Sequence, residues 1–373
     1  MFFLYKPLKK TNAKNMKKLL ILFQTFIYCV FCLFFVFCCK HPSNTCATDF
    51  YYTDNIHHLF THCLLAFPEI AFDKQNNLRK HLLNDCITPQ EFENILKQLY
   101  NNNFVLVDIN TIYKVENDKV LKQKIQVPIG KKPLVFSFDD VVYDQKKMSK
   151  GMVDKIIIHN QDLATYTASS SGEYISDCNE FVPILENFVK DYPDFSLNGA
   201  KGTICLTGYD GILGYRTGSK NKINRQEEIQ KVKPIIKKLK QNGWNFACHS
   251  FGHYKMKDIS VENFEIEIKS WQNEVEPLIG KTSVYVYPYG EYEIEKDNQI
   301  SPKHKLLTNA GFKLFCGVGM KQFFSYLPFN KNIKQKFLFM DRTCVDGFTL
   351  TNQQEKLMPY FDANTVIDKI RLV

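Results

Sequence analysis

The sequence predicts an α/β domain built on a parallel sheet, and three observations carry that prediction. Short runs rich in β-branched and aromatic residues alternate with longer stretches of helical periodicity, the order expected of strand–helix–strand units. The helical stretches carry recognisable start and stop signals. Three of the apolar runs end in residues able to do chemistry: Asp139-Asp140, His249 and Pro288-Tyr289. Parallel α/β enzymes keep their active residues at that end of their strands.

Taken in order, the first helix is predicted over 92–100. Thr88 is its cap, and Glu91 three residues on completes a capping box. Strands follow over 104–108 and 134–138, the second closed by the two aspartates. A helix over 181–191 precedes a strand over 202–206. The basic amphipathic stretch 226–242 is helical and stops at Gly243, a residue that accepts the left-handed backbone of a C-terminal cap. The strand 244–248 delivers His249. A helix over 261–274, a strand over 283–287 leading into Pro288-Tyr289, a helix over 303–310 stopped by Gly311, and a strand over 312–316 complete the pattern. The stretch 141–201 reads as a surface excursion or a flap over the site.

Composition sets the wider frame. Hydrophobic residues make up 45% of the 373 and charged residues 23%, which places the bulk of the chain among globular proteins. The formal charge is +9, and Lys6, Lys9, Lys10, Lys14, Lys17 and Lys18 supply six of those charges before any acid occurs. No basic stripe with interleaved aromatics follows, so nucleic acid is excluded as a partner. Behind the lysines, 19–39 is a run of 21 uncharged residues, enough to span a bilayer as a helix. The lysines keep the N-terminus cytoplasmic and place the rest outside. The run ends in Phe-Val-Phe-Cys-Cys without a small-residue cleavage pattern, so it reads as an uncleaved anchor, with a lipoprotein-like or cleaved signal as the alternative. Residues 1–18 form a basic tail, 40–55 a polar linker and 56–373 the catalytic domain. The twelve cysteines form no metal-ribbon or compact disulfide pattern, and several read as small buried hydrophobes.

The chemistry concentrates in two pieces. Adjacent carboxylates at a strand end repel each other, and a metal resolves the repulsion if one ligates while the other stays free as a base. A helix cap followed by an N1 acid is the plainer reading of Asp139-Asp140. In His249-Ser-Phe-Gly-His253, the two histidines are spaced to converge on one cation; ordinary core or surface histidines are the plainer reading. Together, Asp140, His249 and His253 make an open three-ligand set with room for water.

With Pro288-Tyr289 as the third piece, this order of motifs resembles the polysaccharide deacetylases of carbohydrate esterase family 4, the NodB-homology domain, over roughly residues 80–320. The resemblance implies a distorted or incomplete (β/α) barrel. It implies that Asp139 is the catalytic base and that Asp140, His249 and His253 hold one divalent metal. Zn suits the set, with Co, Ni and Mn as alternatives. It also implies that the backbone N–H of Tyr289 helps hold the oxyanion, and that an acetylated polysaccharide is the substrate. The expected activity is hydrolytic removal of N-acetyl groups, with O-acetyl groups as a second substrate type, from a cell-wall or extracellular glycan. A non-catalytic glycan-binding module on the same fold is the rival, and the free base Asp139 argues against it.

Two departures matter. The family's arginine two residues before the proline, which orients the base, is Val286 here; Arg216 and Arg342 are the candidates to replace it. No residue matches the family's late histidine, which leaves the catalytic acid unassigned. Tyr143 and Pro288, together with the two arginines, are expected to border the substrate cleft.

Overall fold

The structure, a computed structural model, describes residues 49–170, 172–296, 299–319 and 336–372. Phe50–Val373 forms one compact unit. The expected membrane segment at 19–39 lies outside the described residues, and among those described no helix is long and apolar enough to cross a membrane.

Seven parallel strands close into a barrel: β1 (His57–His62), β2 (Lys132–Asp139), β3 (Thr203–Leu206), β4 (Asn245–Cys248), β5 (Val284–Val286), β6 (Leu314–Val318) and β7 (Leu338–Cys344). Around the ring the order is β3-β4-β5-β6-β7-β1-β2. Two residue pairs, Thr203↔Ser137 and Ile204↔Phe138, close β3 against β2. The first half of β2 pairs instead with the short strand Phe104–Leu106, from Phe104↔Lys132 to Leu106↔Leu134. β2 therefore changes partner halfway along, and the barrel is distorted at that seam. The expected α/β barrel is present in this seven-stranded, closed form.

Five helices lie where the sequence predicts them, α2 (Pro89–Asn101), α3 (Phe181–Asp191), α4 (Arg225–Gln241), α5 (Val261–Glu274) and α6 (Pro302–Asn309); α1 (Arg79–Asp85) and α7 (Gly347–Asn352) were not anticipated. The capping box of α2 is formed: Thr88 accepts from the Glu91 N–H while the Glu91 carboxylate accepts from the Thr88 N–H. α4 stops at Gly243, whose φ of 93° is the left-handed value that glycine takes without strain.

Side chains alternate along each strand between two apolar clusters. Outward residues such as Leu59, Phe136, Phe138, Ile204 and Phe315 pack beneath the helices. Inward residues including Val135, Cys205, Ala247, Val284, Cys316 and Met340 fill the barrel, in one cluster with Val105, Val107 and Ile112. Near the C-terminal ends of the strands the inward positions carry Ser137, Asp139, His249 and Arg342. The charged residues of the barrel interior thus gather at one end.

Three expectations are corrected. Phe50–Thr53, inside the stretch read as linker, is a strand paired antiparallel with Ile125–Pro128. β1 and β7, absent from the sequence reading, are full members of the ring. The stretch 141–201, read as a surface excursion or a flap, contains the antiparallel meander Lys155–His159, Asp162–Ser169 and Gly172–Ser176, followed by the predicted helix, α3. The described cysteines are all unpaired, and most are buried.

Candidate active site

β2, β4 and β7 converge on one point. β2 ends at Asp139, β4 is followed at once by His249, and β7 contributes Arg342 from two strands beyond β5. The backbone then turns sharply at several site positions. Asp140, Ser250, His253 and Tyr289 all have φ between 57° and 59°. Left-handed backbone costs about 1–3 kcal/mol at each non-glycine residue and persists where the surroundings impose it, commonly at functional sites. These turns let Asp140 and His253 rejoin a site that strand direction alone would carry them past.

Asp139 is 2% exposed and Arg342 1%. Their contact is bidentate, with Arg342 NH1 donating to Oδ1 at 2.8 Å and NH2 to Oδ2 at 2.9 Å. Burial by itself would push the Asp139 carboxyl up; the guanidinium, joined by His249, outweighs it and holds the group well below the usual carboxylate range. The Asp139 carboxylate is therefore ionised at neutral pH. Of the two arginines considered, Arg342 is the one beside Asp139. Val286 is buried in the barrel wall, and Arg342 enters from another strand. Arg216 instead donates to the Tyr143 and Asp210 carbonyls at 2.7 and 3.1 Å and pairs with the Asp210 carboxylate at 3.4 Å.

Asp140, His249 and His253 offer one ligand atom each, all within 4.8 Å of one another. His253 Nε2 is 3.4 Å from Asp140 Oδ1, and His249 Nε2 is 3.9 Å from it. His249 Nδ1 lies 2.9 Å from the Val286 carbonyl, which can only accept, so Nδ1 carries the hydrogen and Nε2 presents its lone pair. Burial lowers His253 to about 4, so that ring is neutral at pH 7. Asp140 Oδ1 is buried and receives no hydrogen bond. A buried, unbonded carboxylate oxygen facing two imidazole lone pairs fits a divalent cation. Asp139 Oδ2 is 3.7 Å from His249 Nε2, so the base borders the same point.

The site opens into a cavity of about 600 Å³ whose walls include His62, Lys147, Tyr209, Tyr289 and Phe348. Tyr289 is 58% exposed, and its ring centroid lies 4.6 Å from that of His253. Burial alone would lower the Lys147 ammonium; Asp140 and Asp144 outweigh it, and it stays charged. A second hollow on the far side of Tyr209, His253 and Tyr289 extends the cleft.

Tyr143 and Pro288 do not line this cavity. Tyr143 turns into the core (2% exposed), with Glu180 and Cys63 beside its hydroxyl, and Pro288 is buried behind Tyr289. Arg216 is spent on its structural contacts. Arg342 reaches the floor of the cavity only beneath Asp139. Of the residues expected at the substrate, the structure therefore brings Asp139, Tyr289 and Arg342 to the site and leaves Tyr143, Pro288 and Arg216 outside it.

Sequence reasoning missed His62. It ends β1 directly opposite Asp139 in register, so both side chains project from the same face of neighbouring strands. Its Nδ1 is 2.8 Å from the Asp85 carbonyl, which fixes the ring and leaves Nε2 for the cavity. A histidine closing a run that begins His57-His58-Leu59 was the available signal.

Residues 198–304 match the family model described as polysaccharide deacetylase. That segment is therefore similar to a polysaccharide deacetylase domain. The matched segment contains His249, His253 and Tyr289, and the Asp139-Asp140 pair lies upstream of it. No curated protein matches the chain. Among solved structures, the deacetylase PplD of Streptococcus pyogenes, determined in complex with acetate, is 15% identical with a TM-score of 0.40, over 77% of this chain and 89% of that one. A Bacillus anthracis protein assigned to the polysaccharide deacetylases is 13% identical with a TM-score of 0.42, over 79% of this chain and 65% of its own.

Proposed function

We propose that the chain is a divalent-metal hydrolase that removes N-acetyl groups from a cell-wall or extracellular polysaccharide, tethered to the membrane by residues 19–39 with its catalytic domain outside. The observation that carries the reading is a base held ionised by a buried arginine, 3.7 Å from a ligand of the Asp140–His249–His253 set. A metal held there supplies a Lewis acid and lowers the pKa of water, for which Zn is the best-suited ion.

The chain's own residues do the rest. Asp139 takes a proton from the attacking water, and Arg342 keeps the carboxylate aimed and charged. The backbone N–H of Tyr289 donates to the oxygen that gains charge as the carbonyl carbon becomes tetrahedral. The departing amine is a poor leaving group until protonated. His62, across from Asp139 with Nε2 facing the cavity, enters the step as the imidazolium and donates that proton from Nε2, leaving neutral imidazole. Lys147 is held too firmly charged to be the donor and adds positive potential to the wall instead. The exposed rings of Tyr289 and Tyr254 give sugar faces something to stack on.

The test is acetate release by the full chain from a panel of acetylated glycans, with His62→Gln alongside. Wild type should release acetate from at least one N-acetylated polymer. His62→Gln should lose about 10²-fold or more in kcat on that polymer and far less on an aryl acetate, whose leaving group needs no proton. Equal losses on both substrates contradict the role of His62. Metal-loaded wild type that binds a glycan yet releases no acetate favours the non-catalytic binding module.

A further inference from the structure

One layer deeper in the barrel than Asp139, two polar side chains are completely enclosed: Ser137 at 0% exposure and His58 at 1%. In an interior otherwise filled by Val135, Val284, Cys316, Leu338 and Met340, buried polar groups carry a desolvation cost that partners must offset. Each has partners, and they lead upward. Arg342 NH1, besides its bond to Asp139, donates to Ser137 Oγ at 3.2 Å. Ser137 Oγ lies 2.9 Å from His58 Nε2, and His58 Nδ1 lies 3.4 Å from the sulfur of Met340.

The hydrogens in this chain can be assigned. A thioether has none to give, so His58 Nδ1 carries the hydrogen that faces Met340. Burial and the nearby Arg342 cation keep His58 neutral, so Nε2 is a bare acceptor. The Ser137 hydroxyl therefore donates to His58 and accepts from Arg342. Donation runs outward from Arg342, to Asp139 on one side and through Ser137 to His58 and Met340 on the other. The links join three adjacent strands: β7 carries Met340 and Arg342, β1 carries His58, and β2 carries Ser137 and Asp139. The remaining contacts of Arg342 complete its confinement, with Nε donating to the Gly317 carbonyl at 3.3 Å and the guanidinium 4.0 Å from the centre of the Phe60 ring.

We propose that Ser137 and His58 are positioning residues for the deacetylation, a brace that fixes the Arg342 fork and through it the angle and charge of Asp139. The proposal rests on the hydrolase reading above. Ser137→Ala deletes the acceptor for one NH1 hydrogen. It lets the guanidinium tilt without touching the substrate cavity or the Asp140–His249–His253 set. Loss of such outer partners costs roughly 10–100-fold in related sites.

The test is steady-state kinetics on the polymer that wild type deacetylates, normalised to folded, metal-loaded chain. Ser137→Ala is expected to lower kcat roughly 10–100-fold with KM near the wild-type value. Ser137→Thr, which keeps the hydroxyl, should recover most of it. His58→Leu should lose kcat in the same direction. His58→Gln, whose carbonyl can still accept from Ser137, should keep more and provides a variant of similar volume if His58→Leu folds poorly. Unchanged kcat per loaded site in Ser137→Ala, or equal losses in His58→Gln and His58→Leu, overturns the brace and leaves the hydrolase reading intact. A wild-type chain that releases no acetate overturns that reading and the brace with it.

Discussion

Asp139→Asn is expected to lower kcat for acetate release by about 10²–10⁴-fold, the span typical of removing a positioned general base. Asp140, His249 and His253 are untouched by the change, so metal content should remain at the wild-type level. The loss should appear in kcat and not in KM, because Asp139 acts on the attacking water. Stability should fall as well. The folded-state pKa of Asp139 is depressed, so its stabilising contribution is present at neutral pH and is lost only as pH falls through that low value. The stability difference between wild type and Asp139→Asn should therefore be full at pH 7 and narrow in strong acid. Thermal unfolding at several pH values, beside kinetics, checks both parts. Activity within a few-fold of wild type would remove Asp139 from the mechanism.

Arg342→Met should produce the largest stability change. Both partners are almost fully buried, and removing one charge from such a pair strands the other, at a cost of about 3–5 kcal/mol. The stranded carboxylate escapes by taking up a proton, which also ends its use as a base. Stability and kcat should therefore drop together. Arg342→Lys should rescue little, since an ammonium cannot reproduce two parallel hydrogen bonds to one carboxylate. The double variant Asp139→Asn/Arg342→Met separates the effects: without a stranded charge it should regain much of the stability and none of the activity. Denaturant unfolding of the four proteins reads this directly. A double variant no more stable than Arg342→Met would mean that Arg342 matters through packing on Phe60 and not through its charge.

The parts of this molecule that were legible in sequence share one property: their signals are local. The capping box at Thr88 and Glu91, the stop at Gly243 and the helices Phe181–Asp191 and Val261–Glu274 are each set by residues within a turn or two. The metal set was legible because Asp140, His249 and His253 follow apolar strands. What failed was long-range. β1 begins with two histidines and β7 contains Asp341-Arg342, so neither reads as an apolar strand. The reason they are strands lies in what they face: His58 meets Ser137 and Met340, and Arg342 meets Asp139 across 203 residues of sequence. A displaced arginine can be suspected from the valine at 286, but only the barrel's closure tells Arg342 from Arg216. Tyr143 misled for a related reason. Proximity to Asp140 in sequence suggested the cleft, but the two positive-φ residues, Asp140 and Tyr143, turn the ring back into the core.

The proposed hydrolytic centre combines three metal ligands, Asp140, His249 and His253, with one base, Asp139. The most direct measurement is metal content and acetate release on the same samples of full-length chain: wild type, His253→Ala and Asp139→Asn, each stripped by chelator and reloaded with Zn. The expected result is one equivalent of metal in wild type and Asp139→Asn, and little in His253→Ala. Acetate release should appear in reloaded wild type alone. Wild type that takes up no metal above trace, or that releases acetate equally well after chelation, would contradict the claim.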